Sequence, residues 1–167
     1  LARFAVVEGG AVSSYIHGGG KIGVMVRAES PAGAIPEILA AAKDCALQVA
    51  AMNPPYLKRE DVPAAVLDEE KKIILAQMAE DPKMANKPEQ VKEKIAAGKV
   101  GKYYGENCLL EQAFVKENKE TVQSYVDGVA KAAGTTIAIT DFVRFERGEG
   151  IEKKADNFAE EIASMIK

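Results

Sequence analysis

Apolar residues alternate with polar or small ones along the stretch 12–26, VSSYIHGGGKIGVMV. After a run of three glycines, Gly18–Gly20, the residues Ile22, Val24 and Val26 share one side of an extended chain. A two-residue period on both sides of a glycine break is typical of a β-hairpin. Glycine adopts the positive φ angles that a tight connection needs, so we predict two antiparallel strands joined at the glycine run.

Apolar residues recur every three or four positions in several longer stretches, which is the period of an amphipathic helix. The first such helix covers 35–52 and ends at Asn53–Pro55, because proline cannot continue a helix. Its apolar side includes Cys45, and its other side carries polar residues: Glu37, Lys43, Asp44 and Gln48. Further along, Thr121 is expected to cap a short helix that Gly134 ends.

Two more helices, separated by a short turn that contains two prolines, are predicted to form an antiparallel hairpin over about 66–102. Asp61 is expected to cap the first of them, with Pro63 in its first turn. The apolar stripe on both helices is narrow. Such a hairpin has little surface to bury in a core, so we expect it to project and to meet a partner.

Three other stretches favour extended structure. Arg3–Glu8 and Thr135–Glu146 are predicted strands, and 109–115 is predicted to be extended and partly buried. The elements together predict an α+β fold, in which helices cover a small antiparallel sheet, a helical hairpin projects, and a helix ends the chain. We divide the chain into a sheet subdomain, 1–150, that contains the hairpin, and a C-terminal helical module, 151–167.

Composition narrows the class of protein. The 167 residues are 47% hydrophobic and 28% charged, which suits a globular, soluble domain. A net charge of −3 argues against a nucleic-acid-binding protein. The sequence contains no run of 18 apolar residues, so no membrane span is predicted. The only two cysteines, Cys45 and Cys108, fit a reducing cytoplasm, and Cys45 is expected to be a buried thiol. The chain starts in a strand-like run, so we expect it to be part of a longer protein.

The single histidine, His17, stands beside the glycine turn and is the main candidate for chemistry. No serine, cysteine or aspartate nucleophile motif accompanies it. Gly18–Gly20 leads into a second strand rather than a helix, which argues against a phosphate-binding loop. One histidine and two scattered cysteines do not form a metal-ligand pattern. We therefore expect no catalytic residue, cofactor or metal and interpret His17 as an exposed contact residue; the alternative is a small-molecule-binding enzyme that uses His17 and the glycine turn.

Four motifs and the predicted hairpin follow one another in a characteristic order. The motifs are SYIHGGGKIGVMV (14–26), NPPYLKREDVP (53–63), LLEQAFV (109–115) and FVRFERGEGIEK (142–153). In this order they resemble bacterial elongation factor Ts. The resemblance implies a guanine nucleotide exchange factor that binds the GTPase elongation factor Tu, disturbs its magnesium and phosphate sites, and weakens GDP binding. It also implies a protein that is not an enzyme and carries no nucleotide or metal of its own.

The resemblance assigns contact residues as well. His17 matches the histidine that faces the GTPase, and Tyr15 and Gly18 belong to the same motif. The C-terminal helix matches a module that packs on a helix of the GTPase, through the apolar residues Phe158, Ile162 and Met165. The helical hairpin matches a projecting coiled coil that is used in contacts between molecules. A homodimer through the sheet or through the hairpin is therefore expected, and a purely structural dimerisation module is a further alternative.

One short motif stands in an unexpected position. In the family, an earlier subdomain carries an Asp-Phe pair that intrudes near the magnesium site, and Thr140–Val143 repeats the end of that motif. The residues around it align it instead with the later Phe-x-Arg-Phe-Glu strand, so we do not assign it the intruding role. We therefore expect this chain alone to bind elongation factor Tu weakly and to exchange nucleotide poorly.

Overall fold

The computed structural model describes residues 3–85 and 87–150 and has an α+β fold, as predicted. The elements in chain order are β1 (Ala11–His17), β2 (Ile22–Glu29), α1 (Pro36–Met52), a 3-10 turn (Arg59–Asp61), α2 (Ala64–Glu80), α3 (Pro82–Ala85), α4 (Glu89–Asn107), a second 3-10 turn (Leu109–Glu111), β3 (Ala113–Phe114), β4 (Glu117–Thr121), α5 (Val122–Ala132) and β5 (Ala138–Glu146). The predicted C-terminal helix, 151–167, lies outside the described residues.

The main sheet has three antiparallel strands in the order β1-β2-β5. The predicted hairpin is confirmed, with Tyr15 opposite Val24, and Val24 in turn opposite Arg144 on β5. Val24 and the residues two and four positions beyond it, Val26 and Ala28, are buried. The two-residue period therefore does place one face of β2 in the core, as the alternation of apolar residues predicts.

Helix α1 covers that buried face. Ile38, Ala42, Cys45 and Val49 recur at helical spacing and are all fully buried. Alanines among them let the helix approach the strands closely, and the Ser13 hydroxyl donates to the Leu39 carbonyl across the contact (2.7 Å). The helix ends as predicted, because Asn53 takes the left-handed conformation before two prolines. One side-chain prediction is wrong, since Gln48 faces the core rather than solvent.

The helical hairpin is longer than predicted, because α2 begins at Ala64 and α4 continues to Asn107. Its apolar contact is narrow, as expected. Ile74 and Met78 are the buried residues of α2, and α4 has none among its described residues. The predicted cap is wrong, because Asp61 belongs to a separate 3-10 turn, where its carboxylate accepts from the Lys58 backbone N–H, and Pro63 occupies the cap position of α2. None of the described helices has the length and apolar character that spanning a membrane requires.

Two predictions about extended segments need correction. Arg3–Glu8 forms no strand among the described residues, although its sequence is a short apolar run. The stretch 109–115 begins with a 3-10 turn and continues into the two-residue strand β3, which pairs with the unpredicted strand β4. Strand β4 reads ENKET and is nearly all exposed, so no apolar period marks it. The predicted helix cap at Thr121 is confirmed, because its hydroxyl accepts from the Ser124 backbone N–H (3.2 Å).

The two cysteines provide a first test of the packing. Both thiols are free and fully buried, and burial raises the pKa of Cys45 to about 12 and that of Cys108 to about 11. The thiolate is the reactive form, so we expect neither cysteine to react with a disulfide reagent at pH 8 in the native protein. A substituted Gly98→Cys, on an exposed part of α4, should react rapidly under the same conditions. Rapid native labelling of Cys45 or Cys108 would contradict the packing described above.

The same shifts predict the pH dependence of stability. An unfolded thiol ionises near pH 8.5, whereas both folded thiols keep their protons to higher pH. The folded state therefore binds more protons than the unfolded state above pH 8.5. The free energy of unfolding should fall as the pH rises from about 8.5 toward 11, and the thiol contribution should be fully present below that range.

Candidate functional site

One end of the sheet carries the residues that the sequence singles out. We call this end the sheet tip and define it as residues 15–22 and 144–149. At its centre, Gly18, Gly19 and Gly20 have φ angles of 59°, 64° and 88°, and the Lys21 backbone N–H donates to the His17 carbonyl (3.1 Å). Three successive left-handed residues would cost other residue types about 1–2 kcal/mol each, so this compact turn requires glycine.

His17 is exposed at the edge of this turn, and Tyr15 orients it. The Tyr15 hydroxyl and His17 Nδ1 are 3.2 Å apart, and the two ring centroids are separated by 5.9 Å. Tyr15 is itself half-buried against the core. The tyrosine therefore holds the imidazole from one side, while the exposed part of the ring remains free to contact a partner.

The end of β5 completes the sheet tip. The Arg147 backbone N–H donates to the Lys21 carbonyl (2.8 Å), which joins β5 to the glycine turn. Arg144 Nη2 donates to Glu146 Oε2 at 2.8 Å. A carboxylate oxygen of Glu149 accepts from the Glu146 backbone N–H and from Arg3, and these hydrogen bonds lower the pKa of Glu149. Charged groups of both signs thus lie at the same end of the sheet as the exposed histidine.

The face of the sheet opposite α1 is the second unusual surface, and we call it the open face. It consists of alternate residues of the three strands: Val12, Ser14, Ile16, Gly23, Met25, Arg27, Asp141, Val143 and Phe145. Ile16 is 65% exposed, and a shallow groove of about 240 Å³ runs between Ile16, Met25 and Phe145. Its lining is almost entirely apolar, which is uncommon for a surface that stays in water.

The segment Arg3–Glu8 is attached to the open face at both ends. The Arg3 guanidinium lies 4.8 Å from the centre of the Phe145 ring and pairs with Glu149 (2.6 Å). At the other end, Arg27 Nη1 donates to the Glu8 carbonyl (3.1 Å). Side-chain contacts rather than a backbone ladder hold the segment at both ends.

The structure brings three of the predicted contact residues together. Tyr15, His17 and Gly18 lie within the sheet tip, whereas Phe158, Ile162 and Met165 are outside the described residues. Sequence reasoning missed Arg144 and the open face. The alternation does place Ile16 and Phe145 on the side away from the buried residues, but only the strand register shows that they are neighbours. Among the residues the structure describes, no group of three or more histidine, cysteine or acidic side chains is arranged to hold a metal ion.

Comparison with known proteins identifies the family. A family model described as Elongation factor TS matches residues 1–149. The chain belongs to the elongation factor Ts family. A curated elongation factor Ts of Clostridium kluyveri is 48% identical over 165 residues, which cover 98% of this chain and 52% of that protein. An elongation factor Ts of Syntrophotalea carbinolica is 45% identical over 169 residues, covering 100% of this chain and 54% of the relative.

The chain spans about half the length of these elongation factor Ts relatives. Two of the motifs that carry the elongation factor Ts resemblance, 14–26 and 142–153, are far apart in sequence. Where they are described, they are joined in the sheet, because β2 pairs with β1 on one side and with β5 on the other. Both motifs reach the sheet tip, which makes that end of the molecule the candidate contact site of this elongation factor Ts chain.

Proposed function

We propose that the chain is part of a guanine nucleotide exchange factor that binds elongation factor Tu and promotes GDP release during translation elongation. One structural observation supports the proposal in addition to family membership: two motifs of the family meet at the exposed sheet tip. The cytoplasm is the compartment in which this role would be carried out. The protein would act by binding a partner and would have no catalytic residue of its own.

The chemistry of the sheet tip supports a protein contact better than a small-molecule enzyme. His17 is exposed, and its hydrogen-bonding neighbour is a phenol rather than a serine or cysteine nucleophile. The glycine turn connects two strands, so it lacks the helix N-terminus that a phosphate loop uses. An oriented aromatic pair beside charges of both signs suits a protein interface, where tyrosine and arginine are enriched.

Substitution of His17 tests the proposed contact. His17→Ala should weaken binding to elongation factor Tu about tenfold, equivalent to about 1.4 kcal/mol, because an oriented contact is lost. The melting temperature should stay unchanged, since the side chain is exposed. Calorimetric titration of nucleotide-free elongation factor Tu measures the affinity, and Lys94→Ala, on the exposed side of α4, serves as the control.

Two results would contradict the assignment of His17. One is unchanged affinity, and the other is a large loss of melting temperature, which would make the histidine structural. The titration should also be repeated with added GDP. Coupling between two ligands is reciprocal, so GDP must lower the affinity for this chain by the factor by which the chain lowers the affinity for GDP. Equal affinity with and without GDP would exclude the exchange function.

The open face supports self-association as a second part of the proposal. The sequence leaves the sheet and the helical hairpin as alternative routes to a homodimer. We favour the sheet, because Ile16, Met25, Val143 and Phe145 form a continuous apolar surface on one side of it. Two copies related by a two-fold axis would cover each other's open faces, as in sheet-on-sheet packing.

A further inference from the structure

We propose that Tyr15 is a positioning residue whose hydroxyl keeps the proton of the His17 ring on Nε2, so that the sheet tip offers an N–H donor to a hydrogen-bond acceptor on elongation factor Tu. The observation that carries the inference is the 3.2 Å contact between the Tyr15 hydroxyl and His17 Nδ1. The inference rests on the proposed function, because it names the kind of group that His17 contacts there. Tyr15 then acts through the imidazole and does not itself touch the partner.

The backbone places the two side chains on the same face of the sheet. Tyr15 and His17 are two residues apart on β1, and residues at this spacing lie on one face of a strand. Tyr15 is opposite Val24, and His17 is opposite Ile22 in the last pair before the turn. The Lys21 backbone N–H donates to the His17 carbonyl (3.1 Å), which closes the turn. The main chain of the histidine is therefore held in place, and only its side-chain torsions remain to be fixed.

The core anchors Tyr15, and Tyr15 in turn anchors His17. Tyr15 is partly buried and packs against the hydrophobic cluster, whereas His17 is exposed. A tyrosine side chain has two torsion angles, so packing of its body also fixes the direction of its hydroxyl. An exposed imidazole rotates freely unless a neighbour holds it. The Tyr15 hydroxyl is such a neighbour, because it lies within hydrogen-bond distance of Nδ1.

The direction of this hydrogen bond decides where the imidazole proton lies. A neutral imidazole has one N–H donor and one bare nitrogen that accepts. A phenol O–H is more acidic than a neutral imidazole N–H, so the stronger arrangement has Tyr15 donating to Nδ1. Nδ1 is then without a proton, and the proton is on Nε2. In the opposite arrangement the phenol proton turns away from the ring, where none of the described residues accepts it.

Nε2 is available to a partner. It makes no hydrogen bond within the part of the chain that the structure describes. On the same face, Ile22 separates His17 from Glu146, and the Glu146 carboxylate already accepts from Arg144 Nη2 (2.8 Å). An oriented N–H donor of this kind fits an acceptor oxygen of a protein, and it does not fit a lysine or an arginine, which have no acceptor.

Nitrogen NMR tests the position of the proton in the intact chain, without the GTPase. His17 is the only histidine, so isotope-labelled histidine gives one pair of ring-nitrogen signals. Above pH 8, where exposed imidazoles are mostly neutral, we expect Nε2 to have the shift of a protonated nitrogen and Nδ1 that of a bare one. Tyr15→Phe should shift the Nδ1 signal, because the hydrogen bond is lost. A protonated Nδ1, or an Nδ1 signal that Tyr15→Phe leaves unchanged, would overturn the proposal.

Two replacements of His17 test which ring nitrogen meets the partner. The amide nitrogen of glutamine reaches the position of Nε2, and that of asparagine reaches the position of Nδ1. Calorimetric titration of nucleotide-free elongation factor Tu should therefore give His17→Gln an affinity within about threefold of the parent chain. His17→Asn should lose about tenfold, as His17→Ala does. Retained binding with asparagine but not with glutamine would place the contact at Nδ1 and contradict the proposal.

A double-mutant cycle tests whether Tyr15 acts through His17. Tyr15→Phe should weaken binding about threefold in the parent chain and should add nothing to His17→Ala. Equal weakening in both chains would show that Tyr15 touches the partner itself. Tyr104→Phe, which removes a hydroxyl from the hairpin, is the control for titration and NMR. Absence of binding by the parent chain would overturn the proposed function and the acceptor with it, whereas the ring signals report on Tyr15 alone, so the two failures are distinguishable.

Discussion

Replacing Gln48 by leucine should lower the free energy of unfolding by about 3 kcal/mol or more, although the two side chains are similar in size. Gln48 is fully buried on α1. Its Nε2 donates to Gln112 Oε1 and to the Ala113 carbonyl, both at 3.1 Å, and its Oε1 accepts from the Val115 backbone N–H (2.9 Å). Leucine would leave the buried Gln112 Oε1, the Ala113 carbonyl and the half-buried Val115 backbone N–H without their Gln48 partners. Each such group costs about 1–3 kcal/mol, a large part of a typical total of about 5–15 kcal/mol.

Urea denaturation of the Gln48→Leu variant measures the loss. Gln90→Leu is the matched control, because Gln90 is exposed on α4 and should change stability by less than about 0.5 kcal/mol. Hydrogen exchange should also increase near Glu106, whose carbonyl accepts from Gln112 Nε2 (2.9 Å). A loss below about 1 kcal/mol would mean that water or a rearranged Gln112 replaces the missing partner.

This amide network explains how the hairpin is joined to the sheet. Gln48 belongs to the helix that covers the sheet, and Gln112 reaches the last turn of α4 through the Glu106 carbonyl. Beside it, Arg59 pairs with Glu111 and stacks over Tyr104 at 4.8 Å from the ring centre. The rest of the hairpin buries few residues, so these contacts at its base are what attach it to the sheet. The base of the hairpin is therefore connected to α1 through side-chain amides.

Regular periods made most elements predictable. The β1–β2 hairpin and α1 follow from alternation and from apolar residues at helical spacing, because each buries one complete face. Strand β4 has no such face and was not predicted. Arg3–Glu8 has the apolar run of a buried strand but lacks a strand partner among the described residues, which a local pattern cannot reveal. Gln48 was assigned to solvent, because no sequence signal indicates that Gln112 lies beside it.

Only the part of the candidate site that lies within one short sequence motif could be predicted. His17 follows from its own motif, and its exposure agrees with the prediction. Arg144 and Glu146 come from a strand more than 120 residues away, and the register of β2 with both strands places them on the same face of the sheet as Tyr15 and His17. The open face likewise depends on three strands at once. Non-local pairing of this kind carries no signature in a single sequence, so the resemblance indicated the motifs without showing that they share one end of the sheet.

Substitutions of two isoleucines, on opposite sides of the same sheet, distinguish an effect on stability from an effect on self-association. Ile38 is fully buried between α1 and the sheet, so Ile38→Ala should cost about 3–4 kcal/mol from lost transfer energy and the cavity that remains. Ile16→Ala on the open face should change the free energy of unfolding by less than about 0.5 kcal/mol under dilute conditions. Urea denaturation measures both values.

The Ile16 variant should instead alter self-association. If the open face binds a second copy, the chain should dimerise at least tenfold more weakly with Ile16→Ala than without it. An exposed substitution on the hairpin, such as Lys94→Ala, should have no effect. A large loss of stability from Ile16→Ala would show that the open face is already covered within the chain by residues 1–150. Unchanged dimerisation would move the homodimer to the helical hairpin, since its two helices also expose apolar residues, Leu75 and Val91 among them.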